Sequence, residues 1–97
     1  MGTLLKPGDM IRIRYDIREN NDYYMIINSA VKNSWLKEEM APAGELVTIS
    51  DVKDGQYTIK YYGQDEDFSD FWYYTDEMFD PEMILFLQEE QNQYNNL

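Results

Sequence analysis

The pair Asp54-Gly55, set between the β-rich runs 46–52 and 56–62, constrains this chain more than any other feature. Asp-Gly tolerates the two successive positive φ values of a tight hairpin turn, so it predicts two antiparallel strands folded directly on each other. An isolated hairpin is only marginally stable in water, and its apolar face must find further strands or a helix. The residues needed are present: 43% of the 97 are hydrophobic and 15% aromatic, enough for one domain with a real core.

The other local signals are short. Lys6-Pro7-Gly8-Asp9 reads as a turn, with Pro presetting φ at its second position and Gly free to take φ > 0 at its third. Over residues 11–18, Ile11, Ile13, Tyr15 and Ile17 alternate with Arg12, Arg14, Asp16 and Arg18, the period of a half-buried strand. A polar turn at 19–22 leads to a β-rich stretch at 23–27. Residues 34–40 read as a short helix opened by Ser34, with Leu36 and Met40 on one face, stopped by Ala41-Pro42-Ala43-Gly44. An aromatic strand is expected at 71–74, then a single helical turn at 75–79. Asp80-Pro81-Glu82 has the pattern N-cap, Pro at the first helical position and an acid in the first turn, which opens a helix over 81–92. Its residues Met83, Ile84, Leu85, Phe86 and Leu87 are consecutive and cover more than one helical face, so one side is expected on the core and the other on something else. The polar tail from Gln91 should fray. The expected architecture is mainly β: a small five-stranded barrel over 1–80 with a short internal helix, and a C-terminal α-helix with a frayed tail over 81–97, packed on the barrel or extending from it.

Composition removes whole classes of chemistry. With no Cys and no His, disulfides, thiolate or Ser-His nucleophiles and ordinary zinc sites cannot be built. The remaining carboxylate, Lys, Tyr and Ser/Thr chemistry needs a cleft that a small barrel has little room for, so a non-enzymatic protein without cofactor or metal is expected. No apolar run reaches the roughly 18 residues of a membrane span, and the N-terminus lacks a signal-peptide core, so a cytoplasmic protein is expected. The net charge of −11 is unevenly spread: residues 1–60 carry all eight bases against nine acids, whereas 61–97 carry ten acids and no base. Such a field repels nucleic acid and acidic membranes and attracts basic protein surfaces.

Several of these features together have a familiar look. Lys6-Pro7-Gly8-Asp9 before Ile11 and Ile13, Met40 and Gly44 with Val47-Thr48-Ile49, and Trp72 before Thr75-Asp76-Glu77-Met78-Phe79 resemble the small SH3-like barrel proteins of Gram-positive phages and prophages. The resemblance spans residues 6–79. It implies an SH3-like barrel and a phage context, and no catalytic residues.

Two constellations are candidate sites. Asp65, Glu66, Asp67, Asp70, Asp76, Glu77, Asp80 and Glu82 place eight carboxylates within eighteen residues. They form either a solubilising face or an imitation of a phosphate backbone, since strand carboxylates at i, i+2 stand about 6.6 Å apart and helical ones at i, i+4 about 6 Å. A third reading takes Asp65, Asp67, Ser69 and Asp76 as an EF-hand-like calcium loop, although its sixth position is Asp70 where Gly belongs. Residues 61–79 also hold eight of the fifteen aromatics. Strand alternation buries half of them, either Phe71 and Tyr73 or Trp72 and Tyr74, and leaves the rest for the helix to cover or for a partner. Arg12, Arg14 and Arg18 are expected to pair with the chain's own acids rather than to bind nucleic acid.

The function expected from these residues is that of a phage or prophage protein whose acidic, aromatic surface (Asp65, Glu66, Asp67, Asp70, Trp72, Tyr74, Asp76 and Glu77) blocks a basic nucleic-acid-binding site on a host protein. An anti-CRISPR or other anti-defence DNA mimic is its most concrete form. The alternative is a structural or interaction module of a phage complex, acting by docking or by self-association through the C-terminal helix.

Overall fold

The computed structural model describes residues 2–61 and 72–95. Asp54 and Gly55 take φ of 54° and 77°, the conformation their types were expected to permit, and join β4 (Leu46–Lys53) to β5 (Gln56–Tyr61). Val47 faces Tyr61 and Ile49 faces Ile59, but beyond a bulge at Ser50 the pairing resumes with Asp51 opposite Thr58 and Val52 opposite Tyr57. The extra residue shifts the inward set from odd to even positions. Val52 therefore packs on the core and Asp51 stays in water.

On the other side of β4 lies β1 (Met10–Arg12), with Ile11 opposite Val47. The turn before it forms as expected: Asp9 N–H donates to the Lys6 carbonyl at 3.0 Å, and Gly8 has φ 95°. The predicted strand over 11–18 is much shorter. Ile11, Ile13 and Ile17 are buried, but Tyr15 is 72% exposed, because Arg14 and Asp16 pair at 2.6 Å across a turn that ends the strand. Tyr15 lies over Gly44, where φ is 80° and an added Cβ would come within 2.7 Å of the Tyr15 ring. Only glycine meets both demands.

β2 (Tyr23–Tyr24) and β3 (Lys32–Asn33) form a separate two-stranded antiparallel sheet. The helix expected at 34–40 is absent. Leu36 accepts from Met40 N–H at 2.9 Å and the turn stops there, because the next residue is drawn into the core. Ala41 N–H donates to the Tyr74 hydroxyl at 2.8 Å, and its carbonyl accepts from Trp35 Nε1 at 2.9 Å.

The aromatic segment expected at 71–74 pairs only at Tyr74, by a single bridge to Tyr57 on the outer side of β5; Phe71 lies outside the described residues. A 3₁₀ turn (Asp76–Met78) then carries the chain over to Ile13, which Phe79 bridges beyond β1. The expected closed five-stranded barrel is thus, among the described residues, five short strands in two open sheets, β1-β4-β5 and β2-β3. The 3₁₀ turn lifts the backbone off the strand path and leaves one-residue bridges at both free edges of the three-stranded sheet in place of a further strand.

The C-terminal helix, α1 (Pro81–Asn95), opens as its sequence requires: Asp80 Oδ1 accepts from Glu82 N–H at 2.9 Å. It runs through Asn95, beyond the point at which fraying was expected. Asp80 N–H bonds the Arg12 carbonyl and Gln91 Nε2 reaches the Leu4 carbonyl, so α1 lies back along the open edge of β1. Covering that edge removes a template for unwanted strand pairing. No helix among the described residues is long and apolar enough to cross a membrane.

Candidate functional site

The residues carried forward from the sequence do not share one surface. Tyr74 is fully buried: its ring stacks on Phe79 with centroids 6.3 Å apart, and its hydroxyl accepts from Ala41. It is a core residue and cannot touch a partner, which corrects the expectation. Trp72 is half-buried and packs against the same core. Asp65, Glu66, Asp67 and Asp70 lie outside the described residues.

Asp76 is likewise corrected from surface to interior. It is fully buried, its Oδ1 accepting from the Tyr57 hydroxyl at 2.6 Å and its Oδ2 from Ile26 N–H at 3.0 Å. Burial pushes its carboxyl above the ordinary value of 3.8, opposed by the Tyr57 and Ile26 hydrogen bonds. Burial and the neighbouring Asp76 push the Tyr57 hydroxyl up as well, so Tyr57 keeps its proton and donates. With both oxygens committed to this network, Asp76 is not free to close a calcium loop. Among the described residues no three carboxylates are grouped to hold a metal.

The flanking residues share this structural task. Thr75 Oγ1 donates to the Tyr23 carbonyl at 2.9 Å, and the exposed Glu77 accepts from Tyr24 N–H at 2.9 Å. Three successive residues, Thr75, Asp76 and Glu77, thus clamp the segment from Tyr23 to Ile26. Here Asp76 and Glu77 of the clustered acids serve the fold, where side chain to backbone bonds replace a longer β-ladder.

The expected self-pairing of the arginines holds for Arg14, which bonds Asp16 and lies 5.8 Å over the Tyr23 ring. The guanidinium in turn holds the Asp16 carboxyl below its ordinary value. Arg12 donates to the Gly44 carbonyl at 2.7 Å.

Among the described residues, two adjoining grooves can meet a partner. A groove of about 430 Å³ is lined by Tyr15, Asp16, Asp80, Pro81 and Glu82, so three carboxylates and an exposed aromatic ring share its walls. Beside it, sharing Glu82, a second groove of about 390 Å³ is lined by Met10, Met83, Phe86 and Leu87. The helix divides as its five consecutive apolar residues required: Ile84 is buried in the core and Leu87 packs on it, while Met83, Leu85 and Phe86 are 36%, 55% and 60% exposed. The sequence reading missed Tyr15, Asp16 and Met10 as surface features. Met10 had a usable signal, since strand alternation puts this apolar residue on the face opposite Ile11, with Arg12. Tyr15 had none, because alternation assigned it to the core.

No family model, curated protein or solved structure matches this chain.

Proposed function

We propose that this chain is a non-enzymatic binding protein of the phage or prophage kind, which uses an acidic, aromatic surface to occupy a basic nucleic-acid-binding site on a host protein in the host cytoplasm. An anti-CRISPR or related anti-defence inhibitor acting as a DNA mimic is the concrete form of this reading. Its proposed fold relation is to the SH3-like barrel proteins of Gram-positive phages, supported by the way residues 72–79 reach from the outer edge of β5 to that of β1.

The observation that carries the reading is the groove that Tyr15 lines together with Asp16, Asp80 and Glu82. It puts two acids of the base-free C-terminal part beside an exposed aromatic, the combination that a basic, partly apolar protein surface complements. The proposed contact residues are those of this groove and, without a stated place relative to it, Asp65, Glu66, Asp67, Asp70, Trp72 and Glu77; Tyr74 and Asp76 drop out because they are buried. The test is to isolate the partner by affinity capture from host lysate, then titrate it with wild type and with a variant carrying Asn or Gln at 65, 66, 67 and 70, at two salt concentrations. Mimicry predicts a large loss of affinity for the variant and a flatter salt dependence. Equal affinity and equal salt response would falsify it.

A second reading, an interaction module of a phage complex that works by docking or self-association, is favoured by the uncovered Met83, Leu85 and Phe86.

A further inference from the structure

We infer that the groove between α1 and β1 docks a basic amphipathic helix of another protein, with that helix's apolar stripe on Met10, Met83 and Phe86 and its Lys or Arg residues on the surrounding glutamates. This deepens the docking reading and rests on it; it does not depend on the acidic stretch 65–70.

The groove floor is apolar and adaptable. Met10 is 48% exposed on β1, and Met83 and Phe86 stand one helical turn apart on α1, with Leu87 closing the inner wall. Unbranched methionine side chains reshape easily around a helix surface, and residues at i, i+3 spacing match the anchors such a helix presents.

The rim decides which occupant fits. At about 100° per residue, Glu90 falls between Met83 and Phe86 around α1, and Glu82 and Glu89 fall between Phe86 and Leu85. All three glutamates are exposed, and α1 contains no Lys or Arg to offset them. Arg12, the nearest base along β1 on the face of Met10, is turned to the Gly44 carbonyl. A second copy of α1 would set glutamates against glutamates in either orientation. An anionic lipid surface would meet the same repulsion. A helix with apolar anchors flanked by Lys or Arg satisfies the floor and the rim together.

The probe is a synthetic Leu/Lys peptide of about fourteen residues patterned with a 3.6-residue period, compared with a Ser/Lys peptide of equal charge. Binding is read from the methionine methyl resonances of the whole wild-type chain. The Leu/Lys peptide should bind at least about tenfold more tightly than the Ser/Lys peptide. It should shift the methyls of Met10 and Met83 while leaving those of buried Met25, Met40 and Met78 in place. Met83→Ser with Phe86→Ser should weaken binding by about tenfold, and the neutral variant at 65, 66, 67 and 70 should stay within about threefold of wild type, which separates this inference from charge mimicry. Equal binding of the two peptides without selective methyl shifts would reduce the attraction to general charge and overturn the inference. So would wild-type self-association that Phe86→Ser abolishes, since the face would then belong to a second copy.

Discussion

Replacing Tyr57 by Phe isolates the buried polar network, because the ring keeps its place and only the hydroxyl is lost. That hydroxyl donates to Asp76 at 2.6 Å and accepts from Leu5 N–H at 3.3 Å, and both partners are buried. A hydrogen bond to a charged acceptor contributes about 1.5–3 kcal/mol, and an orphaned buried N–H costs about 1 kcal/mol more. The expected loss is about 3 kcal/mol at neutral pH, a large part of a small domain's total of roughly 5–15 kcal/mol. It should depend on pH in a particular direction. Burial raises the folded-state pKa of Asp76 above the ordinary 3.8, so it is the ionised form that the fold disfavours. The Tyr57 hydroxyl offsets part of that penalty, and its removal raises the folded pKa further. The deficit of the variant should therefore be largest at neutral pH and shrink as pH falls through that raised pKa, where Asp76 protonates and no longer needs the lost donor. Urea unfolding of both proteins, stepped down from about pH 7 into the acid range, measures this, since the other carboxylates titrate alike in both and cancel in the difference. A deficit below about 0.5 kcal/mol at neutral pH, or one that shrinks nowhere as pH is lowered, would refute the assignment of Asp76 as a buried, hydroxyl-supported carboxylate.

Asp80→Ala removes the side-chain acceptor of the Glu82 N–H and should cost about 1 kcal/mol, seen as a lower urea midpoint with the m-value unchanged. Ile84→Ala should cost about 2–4 kcal/mol, whereas Leu85→Ser, one residue further along α1, should stay within about 0.5 kcal/mol by the same assay; equal losses would contradict the division of the helix into a core face and an open face.

Each element that was predictable carries its cause within a few residues. Asp54-Gly55 takes positive φ because its residue types permit it, Gly8 follows Pro7 for the same kind of reason, and Asp80 caps α1 because its carboxylate reaches the N–H of Glu82, the second helical residue. The split of α1 into two faces also follows from five adjacent apolar residues. The uneven charge, with every base before residue 61, is a property of the chain itself.

The role of a polar or aromatic residue depended instead on what arrives from far along the chain. Asp76 reads as one more acid in an acidic stretch until Tyr57, nineteen positions away, and Ile26, fifty away, turn a donor toward each of its oxygens. Without those donors the carboxylate would be too costly to bury. Tyr74 goes inward because Phe79 and Ala41 meet it there, and Tyr15 goes outward because the Arg14–Asp16 pair turns the chain before the alternation can continue. Residues 36–40 make one turn and no helix, since Ala41 is held by Tyr74 and Trp35. Backbone conformation at turns and caps is a local free energy, and it was determined by the sequence. Which acid is buried, and which ring meets solvent, was decided only when the long-range contacts closed.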